Sequence, residues 1–132
     1  DVVARNEHAA EDIENCLKME EPQKNYEERC YYHDVKTSKG VAKCAIFNPD
    51  INKGLVMEYD KISLPYFTEW KMMGEYEYVL GLEPGNCTPD GRDVLRREGK
   101  LKFIEPGEKY KTKVVFKFVE NDNEFMEEVK CW

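Results

Sequence analysis

From residue 28 onward the apolar positions of this chain recur mainly at every second residue, whereas before Pro22 they follow helical spacing. Between Glu7 and Met19, Ala9, Ile13, Cys16 and Leu17 fall on one side. The carboxylates Glu11, Asp12 and Glu14 lie near the start, where the positive end of a helix dipole favours them. One short amphipathic helix is therefore expected, ended by Pro22, whose ring cannot continue it. Strands are predicted over 28–35, 41–47, 54–59, 66–72, 76–82, 100–104 and 109–119, each bounded by Gly, Pro, Asn or Asp. The clearest alternation sets Tyr110, Thr112, Val114, Phe116 and Phe118 on one face and Lys109, Lys111, Lys113 and Lys117 mostly on the other, the mark of a half-buried strand. A second short helix is expected over 92–98, stopped by Gly99. No segment repeats another. The pattern predicts a mainly β chain, an antiparallel β-sandwich with one or two short helices.

Composition narrows the partners. At 132 residues, 41% of them hydrophobic, one globular unit with a core of its own is expected over 1–132. A balance of 20 basic against 27 acidic residues gives a net charge of −7 with no basic cluster, so neither nucleic acid nor an anionic membrane is expected as a partner. No apolar run approaches the roughly 18 residues of a membrane span, and no leader is visible, which predicts a soluble chain. Cys16, Cys30, Cys44, Cys87 and Cys131 are scattered and never form C-x-x-C, so reduced thiols in a cytoplasm are expected. Nothing has metal-ligand spacing, and no cofactor is implied. The sequence begins at Asp1, within what reads as a connecting segment, so an upstream portion is expected.

Candidate chemistry concentrates in YEYVLGLEPGN, residues 76–86. Alternation puts Tyr76, Tyr78, Leu80 and Leu82 on one face and Val79, Gly81 and Glu83 on the other. Gly81 leaves room beside Glu83, and a carboxylate at a strand end above such a gap has the placement of a general base. A solvated Glu at a strand terminus is the plain alternative.

The run LPYFTEWKMMGEYEYVLGLEPGNCTPDGR, residues 64–92, followed by IEPGE at 104–108, resembles the C-terminal region of the uncharacterised bacterial branch of the aldose 1-epimerase, or galactose mutarotase-like, family. The upstream pieces YEERCYYHD and AIFNP are similar to strands that precede that region. This resemblance implies the C-terminal portion of a galactose mutarotase-like supersandwich and a monosaccharide or sugar derivative as ligand. It implies that Glu83, matching the strand that ends in L-E-x-Q, removes the proton of the anomeric hydroxyl. Gly85 departs from the polar residue many mutarotases carry there, which puts shared substrates in doubt. The family's acid is a histidine on earlier strands, and neither His8 nor His33 occupies its motif. Glu28 aligns loosely with an aspartate that binds sugar hydroxyls, with Glu27 as the fallback. Trp70 is a platform for a sugar ring or a core residue, and Lys71 on the opposite face is a donor or an exposed edge guard. Asn86 and Arg92 belong to a turn that forms a lip of the pocket or merely connects two elements.

Three functional readings follow: an anomer-interconverting enzyme, a non-catalytic carbohydrate-binding module, and an incomplete piece that self-associates through exposed sheet edges.

Overall fold

The computed structural model describes residues 1–130; Cys131 lies outside the described residues. They divide into two compact units, one of residues 1–34 and 65–102, the other of 35–64 and 103–130.

The first unit is built on an antiparallel sheet of β1 (Val2–Ala4), β2 (Arg29–His33), β6 (Tyr66–Met73) and β7 (Tyr78–Gly85), in the order β1-β2-β6-β7. Helix α1 (Glu7–Glu11) follows β1, and α2 (Arg92–Arg97) follows β7. The Asn6 side chain caps α1 by accepting from the Ala9 amide at 3.1 Å, and it also donates to the Glu28 carbonyl at 2.9 Å. That double use fixes the start of β2 against the helix. Ala9, Cys16 and Tyr31 form the buried centre of the packing between this helical segment and the sheet, flanked by Val2 and Ala4. The predicted helix is shorter than expected. The α-helix stops at Glu11, and a single 3-10 turn covers Ile13–Asn15, because Asp12 leaves the helical backbone region and its side chain is bonded to Arg29 and Asn15. Strand β7 begins at Tyr78, not Tyr76, and runs on through Pro84 to Gly85. Proline is tolerated there because β7 is an edge strand, with β6 on one side only.

The second unit carries β3 (Thr37–Ser38), β4 (Val41–Asn48), β5 (Lys53–Asp60) and β8 (Val114–Val119), in the order β3-β4-β5-β8, with α3 (Asp122–Val129) packed on β4, β5 and β8. Lys39 and Gly40, both at positive φ, make the two-residue turn between β3 and β4. Phe47, Gly54 and Val119 are cross-strand neighbours. A Cβ on Gly54 would sit 2.7 Å from Val119 and 2.8 Å from Phe47, so only glycine lets those two side chains close over it. Phe47 also stacks on Phe125 of α3 at 4.8 Å.

Three expectations fail here. Residues 100–104 form no strand, and only 114–119 of the expected 109–119 pair with β5. The predicted buried row is in fact the open one, with Phe116 and Phe118 56% and 77% exposed while Val119 of the opposite row is buried. At the sheet edge α3 covers the Val119 side, a helix that the N-cap pattern Asn121 to Glu124 could have signalled. Strands β1 and β3 were not foreseen either, being too short to show a period. The expectation of a mainly β, antiparallel chain with short helices holds.

Candidate active site

Strand β6 divides the residues of interest. Thr68, Trp70 and Met72 point to one face of the first unit's sheet, and Phe67, Glu69, Lys71 and Met73 to the other. Cross-strand register then sorts the neighbours, since paired residues share a face. Cys30, Trp70 and Gly81 make one row on the Trp70 face, and Tyr32, Thr68 and Glu83 make the next.

Glu83 shares a face with Gly81, as alternation predicted, and the strand register sets it diagonally across from Trp70. The gap expected over Gly81 is occupied by the glutamate itself: a Cβ on Gly81 would come within 2.5 Å of Glu83 Oε1 and 3.3 Å of Trp70 Cβ. Any other residue at 81 would push the carboxylate off the sheet. Among the described residues nothing donates to Glu83, so its oxygens are available. Trp70 Nε1 donates to Glu28 Oε2 at 2.8 Å, which sets the plane of the indole and brings Glu28 onto the same face. Glu28 is in turn held through its carbonyl by Asn6. Glu28, Trp70 and Glu83 are thus assembled on one surface, floored by the buried Cys30 and Thr68.

The segment 86–91 completes that surface with residues the sequence did not single out. Asp90 Oδ1 accepts from the Tyr32 hydroxyl at 2.7 Å and from Arg5 Nε at 3.1 Å, while Arg5 Nη2 reaches the Pro89 carbonyl at 3.4 Å. A bond from the Thr88 side chain, then those from Tyr32 and Arg5, hold the Asp90 carboxyl below its usual range. Burial, followed by the bond to Asp90, raises the Tyr32 phenol. Cys30 lies among these groups, its thiol raised by burial first and further by Glu83, Glu28 and Asp90, with Arg5 opposing. The polar turn at 86–91 was legible as a lip, but Arg5 and Tyr32 gave no local signal, because they reach Asp90 from 85 and 58 residues away. Of the two lip residues that were expected, Asn86 is half-buried and Arg92 exposed at the start of α2; the contacts at this lip are made by Asp90 instead.

Lys71 is not brought to this surface. It is fully buried on the opposite face, where Nζ pairs with Glu20 Oε2 at 2.6 Å and donates to the Asn15 carbonyl at 3.0 Å. Arg29 joins the same network through Asp12, Glu20 at 3.5 Å and the Tyr26 hydroxyl at 2.8 Å. Burial pushes the Tyr26 phenol up to about 12. His33 also lies on that face, bonded to Glu69 at 2.7 Å and set edge-on to Phe67, and His8 pairs with Glu11 on α1. A concavity of about 450 Å³ near the β6–β7 hairpin is lined by Gln23, Tyr26, Met72 and Tyr76 among others and includes none of the expected site residues. No cluster of metal-ligating side chains occurs among the described residues, the four described cysteines are free, and none of their helices is long and apolar enough to cross a membrane.

A family described as a domain of unknown function, DUF4432, matches residues 1–118. The chain belongs to this family. The DUF4432 match takes in the whole first sheet, the second sheet up to Phe118, and every residue of the surface just described. No curated protein matches the chain by sequence. Among solved structures, a candidate aldose 1-epimerase from Klebsiella pneumoniae superposes with a TM-score of 0.87 at 20% identity, covering 98% of this chain. The chain spans 34% of that protein's length. The DUF4432 chain therefore has the galactose mutarotase-like fold expected from its sequence.

Proposed function

We propose that the Trp70 face binds a monosaccharide and that Glu83 is the general base for interconverting its anomers. One observation carries the reading: the Glu83 carboxylate, unpaired among the described residues, lies beside an indole whose plane is fixed by Glu28. An aromatic face next to carboxylate acceptors suits a sugar ring, whose C–H groups pack on the indole while its hydroxyls donate to the acids. Glu83 takes the proton of the anomeric hydroxyl, an acid protonates the ring oxygen, and the ring opens. The aldehyde then turns and recloses from its other side. Each proton transfer contributes roughly 10²–10⁴-fold. Neither histidine serves as that acid in this reading, His33 being bonded to Glu69 on the opposite face and His8 to Glu11 on α1. The likeness to the Klebsiella pneumoniae protein, three times the length, supports the same reading.

That placement of His33 also favours a second reading, a carbohydrate-binding surface without turnover. Anomer interconversion of common aldoses by the full-length protein and its Glu83→Gln variant, run beside calorimetry with the same sugars, separates the two. Turnover lost in the variant with binding retained supports the base. Unchanged turnover removes Glu83 from the mechanism, and binding without turnover in both proteins selects the second reading. The exposed Phe116 and Phe118 on edge strand β8 support self-association of the chain taken alone, which a clean monomer in size-exclusion chromatography would oppose.

A further inference from the structure

We infer that Asp90 is a positioning residue: by bonding Tyr32 and Arg5 it latches segment 86–91 across the Trp70 face and makes it the wall that decides which ligands fit beside Glu83. The inference rests on the carbohydrate reading above and adds to it the feature that limits ligand size.

Topology gives the first part of the argument. Strand β7 is the outermost strand, and β2 is separated from it by β6. Strands in a sheet lie about 4.8 Å apart, so a segment leaving β7 must double back over β6 to meet β2. Residues 86–91 do so, because Asp90 bonds Tyr32 of β2 and Arg5, the residue just beyond β1. Tyr32 and Glu83 flank Thr68 in one row, and Thr68 is 3% exposed, as a residue beneath such a crossing would be.

The chemistry of the latch gives the second part. Asp90 Oδ1 takes two donors, the Tyr32 hydroxyl and the charged Arg5 guanidinium. Charge-assisted bonds of this kind are roughly twice as strong as neutral ones. Arg5 grips the segment twice, at Asp90 and at the Pro89 carbonyl, so the turn is held at two successive residues. Glu83 begins the stretch that the latch ends, with Pro84 between Glu83 and Gly85 restricting the backbone. Releasing Asp90 therefore frees the wall without touching the Glu83 carboxylate. A ligand bound between the wall and Trp70 loses its fit, whereas proton removal by Glu83 does not change. The guanidinium of Arg5 is spent on Asp90, and Lys71 is buried on the other face, so neither of these two cations is available to a ligand beside Glu83.

The test compares wild type, Asp90→Ala, Asp90→Asn and Arg5→Ala in the full-length protein, with galactose and glucose as probes. Amide hydrogen exchange reports on residues 86–91, and calorimetry with steady-state kinetics reports on the ligand. Asp90→Ala and Arg5→Ala are expected to speed exchange in 86–91 about tenfold and to weaken Kd or raise KM about tenfold, leaving kcat within about twofold. Asp90→Asn, which keeps an acceptor for Tyr32, is expected to recover part of both losses. Faster exchange with unchanged Kd and KM, or no change in exchange, overturns the proposal while leaving the carbohydrate reading intact. Absence of sugar binding by the wild type overturns that reading, and with it the ligand role of Asp90, even where the exchange data show the latch itself.

Discussion

The two faces of the β1-β2-β6-β7 sheet use charge in opposite ways. On the Lys71 face, Asp12, Glu20, Arg29, Lys71, Glu69 and His33 are paired, and Lys71 is sealed from solvent. On the Trp70 face Glu83 has no donor among the described residues, and Glu28 is engaged through Oε2 by the indole of Trp70. Ions paired with one another fasten segment 12–20 to the sheet and have little capacity left for a ligand. An acid left unpaired at the surface of a rigid strand retains the capacity to accept a proton or a hydroxyl. The comparison teaches that a buried lysine beside a candidate site is a poor guide to binding, whereas a carboxylate without a partner is a useful one.

The largest effect is expected where that pairing is broken. Lys71→Met keeps the aliphatic volume but leaves Glu20 with only Arg29, and is expected to cost about 3 kcal/mol in urea unfolding. A loss under about 1 kcal/mol would erase the contrast between the faces. Glu83→Gln should do the reverse, lowering anomer interconversion by about 10²-fold while shifting unfolding by no more than about 0.5 kcal/mol. A large stability loss would place Glu83 with the structural charges. Trp70→Phe removes the donor to Glu28 and is expected to weaken sugar affinity about tenfold, with roughly 1 kcal/mol of stability, since the bond is exposed. Equal affinity would take the indole out of the site.

The smallest effect concerns pH. Asp90 has a folded pKa below its unfolded value, near 3.9. Its contribution is therefore complete above about pH 4 and lost as pH falls through the lower, folded value. The Tm difference between wild type and Asp90→Asn should be constant from about pH 7 to pH 5 and close as the pH falls below the ordinary carboxylate range. A difference that widens on acidification would show that Asp90 is not stabilised as its carboxylate.

Much of this architecture can be read along the chain, and the failures share one cause. Alternation placed β4, β5 and β6 within about two residues of their ends and assigned Glu83 and Gly81 to one face. It erred at 109–119, because the same alternating row packs inward or stays open depending on what lies across from it, and α3 covers the Val119 row. It also took the helix too far, since Asp12 and Glu20 are consumed by Arg29 and Lys71 rather than by helical structure.

By itself, then, the sequence determined the periods of β4, β5 and β6 and the face on which each β6 and β7 side chain stands. These follow from bond geometry and near-neighbour spacing, which act locally. Only the tertiary structure decided that Lys71 is buried, that Glu28 holds Trp70, and that Arg5, Tyr32 and Asp90 meet. Those contacts join residues tens of positions apart, and which distant donor reaches which acceptor depends on strand order and register, quantities that no local pattern of residues encodes.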